Sequence, residues 1–156
     1  MCVAEALLRI PDADTADKLI RDKTSASFSR VFSTKVNGAD AIVRSVHSDS
    51  LRFLVFFSSV TARLGTAGQV DYAAANEVLN KLADHLSLTW PGRVVAINWG
   101  PWRGGMVSEE LLRLYAARNI PAIPMVAGAR KLLEELRVSR KSTPEVLIVA
   151  GDQDFG

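Results

Sequence analysis

The stretch FFSSVTARLGTAGQVDYAAAN, residues 56–76, decides the fold because it joins an apolar run to an alanine-rich segment. Residues 51–59 place apolar side chains consecutively without alternation, which is typical of a central parallel strand covered on both faces. In residues 72–88 the apolar side chains recur along one helical face. Residues 61–71, between these two segments, contain glycines that predict a loop. The stretch therefore predicts a strand, a loop and a helix.

The rest of the chain continues this alternation of helices and strands. Thr24 is a suitable N-cap for the helix that precedes the first strand. Strands separated by helices imply right-handed crossovers and a parallel sheet, so the predicted class is α/β. The predicted elements are a helix over 25–47, a strand over 94–99, a loop over 100–106, helices over 108–118 and 126–136, and a strand over 145–151.

The composition, with 48% hydrophobic and 23% charged residues, is typical of an ordinary globular domain. The net charge of +2 is scattered along the chain, so we expect no nucleic-acid partner and no membrane surface. One cysteine, Cys2, and two histidines make a metal site improbable. The apolar run of residues 53–57 is too short to cross a bilayer, so we expect a cytoplasmic protein.

Tyr72 and Asn76 lie four residues apart and so share one face of the predicted helix. A pair of this kind is weak evidence by itself, because it also occurs by chance in structural helices. Ser58 and Ser59 strengthen it, since the end of their strand and the start of the next helix meet at one edge of the sheet.

The segment from residue 56 to residue 76 resembles the core motif of ketoreductase domains in polyketide synthases, a branch of the short-chain dehydrogenase/reductase superfamily. In these domains asparagine follows the tyrosine, and lysine lies on the preceding helix in a P-K-V-x-G-like segment. Residues 34–38, TKVNG, match that segment with threonine in place of proline. Lys35 lies 24 residues before Ser59, which lies 13 before Tyr72, as in typical members of the family.

The resemblance covers residues 17–152, leaving 1–16 as an unmatched N-terminal segment and 153–156 as a tail. It implies the C-terminal part of a Rossmann-like, doubly wound parallel sheet. Such a fold opens with a glycine-rich G-x-G-x-x-G turn, and no two glycines of this sequence have the G-x-G spacing. We therefore expect the N-terminal βαβ units to be missing. Residues 100–107 and 118–124 resemble ketoreductases of polyunsaturated fatty acid and enediyne-type iterative synthases.

The family roles carry over residue by residue. Tyr72 is then expected to be the general acid, and Lys35 to lower the pKa of Tyr72 and contact the cofactor ribose. Ser59 is expected to hold the carbonyl oxygen, and Asn76 to orient Lys35 or an ordered water. Trp99 and Trp102 could both be core aromatics, although a packing role for Trp99 and a lining role for Trp102 are favoured. The expected catalytic residues are Lys35, Ser59, Tyr72 and Asn76; the cofactor contacts are Lys35, Ser58, Tyr72, Gly100, Pro101 and Trp102; the substrate contacts are Ser59, Leu64, Trp102 and Met106.

Stereochemical type stays open. The tryptophan that marks one class would stand at Leu64, and of the L-D-D signature of the other class residues 15–17 keep the last aspartate, Asp17.

The resemblance implies reduction by NADPH of the β-keto group of an acyl chain bound to an acyl carrier protein, inside a larger synthase. The isolated 156-residue chain is then expected to be inactive. Expected partners are the carrier protein, neighbouring synthase domains and the N-terminal half of the fold, with self-association through an uncovered sheet edge. The alternative is a truncated, catalytically silent structural or interaction module. An extended-family epimerase or dehydratase is disfavoured, because those enzymes keep lysine after the tyrosine.

Overall fold

The computed structural model describes residues 17–104, 107–138 and 142–151. The expected N-terminal segment, the C-terminal tail and the expected substrate contact Met106 lie outside these residues. The helices are α1 Ser25–Ser45, α2 Thr61–Leu64, α3 Val70–Thr89, α4 Glu109–Ala117 and α5 Met125–Arg137, and the strands are β1 Phe53–Ser59, β2 Arg93–Trp99, β3 Trp102–Arg103, β4 Ile123–Pro124 and β5 Glu145–Ile148.

The central sheet has three parallel strands in the order β1-β2-β5. Ser59 pairs with Trp99, which pairs with Ile148, so the carboxyl ends of all three strands meet at one edge. The predicted α/β class with a parallel sheet is confirmed. In the described part of the chain, β1 has one hydrogen-bonded neighbour, β2.

Helix α1 begins where the sequence predicts. The Thr24 side chain accepts a hydrogen bond from the backbone N–H of Ser27, and the Ser27 hydroxyl accepts one from the N–H of Thr24. This capping box satisfies two backbone donors at the helix start. The helix therefore has a defined first turn, and Lys35 lies near the middle of α1.

Helices α1 and α3 pack on one face of the sheet. Alternate strand residues point to this face, and small helix residues such as Ala39 and Ala83 let the helices approach closely. On the opposite face, Val95, Ile97 and Trp99 form a second cluster with Ile123 and Leu132, the latter on α5. The sheet is therefore covered on both faces, as its continuous apolar runs predict.

The two predicted loops were partly wrong. Residues 61–71 contain the short helix α2, which ends at Gly65 with φ 71°, and α3 begins at Val70 instead of Tyr72. Residues 102–103 form β3, which pairs in parallel with β4. A single helical turn and a two-residue strand are too short to produce an apolar period, and tertiary contacts decide whether they form.

None of the helices within the described residues is long and apolar enough to span a bilayer.

Candidate active site

The Lys35 ammonium lies at the centre of the site. Its Nζ donates hydrogen bonds to the Phe57 carbonyl oxygen on β1 at 2.9 Å and to Asn76 Oδ1 on α3 at 2.6 Å. Lys35 is 8% exposed, and burial lowers the pKa of its ammonium to about 8. Lys35 is therefore not a solvated surface lysine.

Tyr72 lies beside this ammonium, with Lys35 Nζ 5.3 Å from the centre of its ring. Burial raises the pKa of the Tyr72 phenol, while the side chains of Ser59 and Asn76 lower it by less and the charge of Asp17 raises it. The Tyr72 pKa is therefore raised on balance, because loss of solvation outweighs the favourable contacts, and the expected lowering by Lys35 stays a prediction. The phenol keeps its proton through neutral and mildly alkaline pH.

Asn76 connects Lys35 and Tyr72. Its Nδ2 donates to the Tyr72 backbone oxygen at 2.8 Å, which fixes the amide so that Oδ1 faces the Lys35 ammonium. Asn76 is fully buried, and an unpaired amide at this position would be costly. This geometry agrees with an orienting role for Asn76.

The two serines at the end of β1 have different partners. Ser59 Oγ accepts a hydrogen bond from the Thr61 N–H at 3.2 Å, which leaves its own O–H able to donate. The single proton of the Ser58 hydroxyl is instead shared between two acceptors, Asn98 Oδ1 at 3.0 Å and the Asn76 backbone oxygen at 3.2 Å. The Ser58 hydroxyl therefore faces Asn76 on α3, and the Ser59 side chain lies by Tyr72 at the start of that helix.

A polar network beneath the site was not predicted. Asn98 on β2 accepts from Ser58 and from Asn80 Nδ2 at 3.1 Å, and donates to Glu145 at 2.8 Å. Arg63 on α2 pairs with Glu145 and with Glu77, the latter at 3.2 Å. The sequence signal was an asparagine in the otherwise apolar run VVAINW, since a buried amide needs partners.

The loop after β2 is held by backbone hydrogen bonds. The Gly100 N–H donates to Ile148 O at 2.8 Å, and Pro101 O accepts from the Ile123 N–H at 2.7 Å. The Trp102 ring packs edge-on against Trp99 with centroids 4.8 Å apart. Trp102 thus packs against Trp99 in this structure, and its expected lining role stays a prediction.

Leu64, an expected substrate contact, ends the short helix α2 and is 57% exposed. Its accessibility is compatible with contact to a bound molecule. None of the residues that the structure describes form a group of three or more His, Cys, Asp or Glu side chains able to hold a metal ion.

A known protein family matches the part of the chain that contains the candidate site. The KR domain family matches residues 13–104, which is more than half of the chain and includes Lys35, Ser59, Tyr72 and Asn76. The chain belongs to the KR domain family. It is therefore a ketoreductase-type domain of the short-chain dehydrogenase/reductase superfamily, as the motif predicted.

Relatives of this KR domain are parts of very large proteins. It is 36% identical over 133 residues to a polyunsaturated fatty acid synthase polypeptide of Thraustochytrium sp., covering 85% of this chain and 5% of that protein. It is 41% identical over 94 residues to mellein synthase of Phaeosphaeria nodorum, covering 60% and 5% respectively. The chain thus spans about one twentieth of the length of these curated relatives.

Solved structures agree with this assignment. The first ketoreductase of the tylosin PKS superposes with a TM-score of 0.73 at 31% identity, covering 87% of this chain and 30% of that one. The ketoreductase from the first module of phoslactomycin biosynthesis in Streptomyces sp. HK803 gives 0.75 at 27% identity, covering 85% and 30%. The KR domain described here therefore corresponds to part of those ketoreductase chains.

Proposed function

We propose that this chain supplies the catalytic half of a ketoreductase that reduces the β-keto group of an acyl chain on an acyl carrier protein, within a larger synthase. NADPH is the proposed hydride donor, and the N-terminal half of the fold and neighbouring synthase domains are the proposed partners. One observation supports this most directly. The Lys35 ammonium is buried against Asn76 and beside the Tyr72 ring, with Ser59 at the adjoining strand end.

Lys35 has the capacity to bind a cofactor hydroxyl. An ammonium carries three protons, and among the described residues two of them have acceptors, on Phe57 and Asn76. The third proton is available to a ribose hydroxyl. The dinucleotide would supply hydride, and the Gly100–Pro101 backbone beside Trp102 would contact the nicotinamide end in the way that the family resemblance implies.

The remaining chemistry concerns the carbonyl oxygen of the substrate. As hydride reaches the carbonyl carbon, negative charge develops on that oxygen and must be stabilised. Ser59 would donate a hydrogen bond to the oxygen, and Tyr72 would transfer its phenolic proton to complete the alcohol. The high pKa of Tyr72 ensures that this proton is present at neutral pH, and the Lys35 ammonium favours the phenolate that remains.

The test is Tyr72→Phe in the complete reductase, meaning this chain together with the N-terminal half. The change removes one proton and little volume, so we expect reduction of a model β-keto thioester to fall about 10²–10⁴-fold. The NADPH dissociation constant should change little. Deuterated NADPH would establish direct hydride transfer by placing deuterium on the product carbon.

A matched control is Tyr115→Phe, which removes the other phenol of the described chain and should have a much smaller effect. If Tyr72→Phe keeps activity within twofold of the parent, Tyr72 is not the acid. If the unaltered complete reductase binds NADPH but reduces no β-keto thioester, the silent interaction module is the better description.

A further inference from the structure

A buried ion pair lies at the start of the helix that carries Tyr72. Lys23 Nζ is 2.7 Å from Asp71 Oδ2, and the two side chains are 3% and 2% exposed. The second carboxylate oxygen, Asp71 Oδ1, accepts a hydrogen bond from the Tyr72 backbone N–H at 2.9 Å. One carboxylate therefore contacts both the ammonium and the backbone of the proposed general acid.

The positions of the two residues give this pair its significance. Lys23 immediately precedes Thr24, the N-cap of α1, and α1 carries Lys35. Asp71 lies in the first turn of α3, immediately before Tyr72. The pair thus joins the starts of the two helices whose side chains must meet, across a sequence separation of 48 residues.

Two neighbouring contacts link the same segments. Gln69 Nε2 donates to Asp17 Oδ2 at 2.6 Å, and the Lys18 N–H donates to the Gly68 oxygen at 3.0 Å. The residues before α1 are therefore attached to the residues before Tyr72 at three points. Of these the ion pair is the most buried, and a buried pair holds its geometry because separating the charges is costly.

We propose that the Lys23–Asp71 ion pair is a positioning device that sets the placement of Tyr72 relative to Lys35 by tying the N-termini of α1 and α3. Lys23 touches no reacting group in this scheme and acts through Tyr72. The effect on catalysis rests on the proposed function, whereas the link that the ion pair makes between α1 and α3, here called the tie, does not.

The tie is tested first by hydrogen exchange on the full 156-residue chain. Lys23→Met should speed exchange of backbone amides in the first turns of both α1 and α3 by about tenfold, with little change in the last turn of α1. Arg44→Met is the matched control, since it removes an exposed ion pair with Asp40 on the same helix. Unchanged exchange at both helix starts overturns the tie.

The catalytic consequence is tested in the complete reductase. Lys23→Met should lower kcat by about 10- to 100-fold, because small misplacements of a catalytic group carry losses of that order, while KM and the NADPH dissociation constant change little. Lys23→Arg keeps a charged donor and should restore most of the turnover. A kcat for Lys23→Met within twofold of the parent overturns the proposal.

A double-mutant comparison with Tyr72→Phe distinguishes a positioning role of Lys23 from general damage to the structure. In the Tyr72→Phe background, Lys23→Met should cause no further loss of the residual turnover, since its route of action is gone. A loss equal to that in the parent background overturns the proposal. If Lys23→Met fails to fold, the double variant Lys23→Met with Asp71→Asn replaces it, because removing both charges avoids a lone buried charge.

That double variant keeps an oxygen acceptor for the Tyr72 N–H but lacks the ion pair. It should still lose kcat, and full activity would overturn the proposal. If the parent reductase itself reduces no ketone, the proposed function fails, and the exchange comparison then decides the tie by itself.

Discussion

Activity of the complete reductase should fall as the pH rises through about 8. Burial lowers the pKa of the Lys35 ammonium from 10.5 to about 8, so this group loses its charge far earlier than a solvated lysine. Burial raises the pKa of Tyr72 from 10.0, so the phenol is still protonated in this range. The alkaline loss therefore comes from Lys35, not from Tyr72.

The magnitude follows from the titration. With a pKa of about 8, the charged fraction of Lys35 falls from about one half at pH 8 to about one hundredth at pH 10. A reductase that needs the ammonium to hold NADPH and stabilise the phenolate should lose activity in proportion. Between pH 8 and pH 10 we expect a fall of roughly 50-fold in kcat/KM for NADPH.

The assay is the initial rate of NADPH consumption at constant ionic strength, with a saturating β-keto thioester. The kcat/KM for NADPH is the appropriate parameter, because it reports ionisation of the enzyme before the cofactor binds. In the activity that remains, Lys35→Arg should abolish the alkaline fall in kcat/KM, since a guanidinium stays charged over this pH range. The control His85→Gln changes an exposed side chain and should leave the alkaline fall in kcat/KM unchanged.

A profile that stays flat to about pH 10 would refute the reasoning about Lys35. A limb that begins only above the ordinary range of tyrosine would assign the ionisation to Tyr72 instead.

Two further predictions concern packing and completeness. A Cβ on Gly128 would overlap the Trp102 ring, so Gly128→Ala should displace this indole by about 1 Å, destabilise the fold by about 1–3 kcal/mol and change tryptophan fluorescence. The control Ala129→Ser, at an exposed position, should have none of these effects. Normal fluorescence and thermal stability for Gly128→Ala would contradict the close contact. The isolated 156-residue chain should neither bind NADPH measurably nor reduce ketones, because it has no G-x-G turn to hold the pyrophosphate, and it should self-associate through β1. Fluorescence titration with NADPH and size-exclusion chromatography would test this, and micromolar binding by a monomer would disprove it.

The main elements of the fold were predictable because apolar periodicity is a local property. Continuous apolar runs indicated β1 and β2, and helical spacing indicated α1 and α3, whose ends differ from prediction by a few residues. Among the elements that were missed, α2, β3 and β4 are four, two and two residues long. Such short segments contain about one apolar period each and cannot show a repeat, so the contacts of the folded chain decide their conformation.

The candidate site was predictable to the level of residue identity. Tyr72 and Asn76 lie on one helical face by spacing alone, and the resemblance added Lys35 and Ser59. The sequence could not show that Ser58 faces the Asn98 network, since that depends on the direction of the strand residues relative to α3.

The sequence by itself therefore determined the order of helices and strands, the family and the residues that gather at the carboxyl edge of the sheet. Tertiary structure alone decided the electrostatic state of those residues. The two acceptors of Lys35 lie 22 and 41 residues from it in sequence, and Asp71 lies 48 residues from Lys23. Loss of solvation acts on Lys35 and Tyr72 only once these distant segments pack around them, and no local pattern of residues encodes its size.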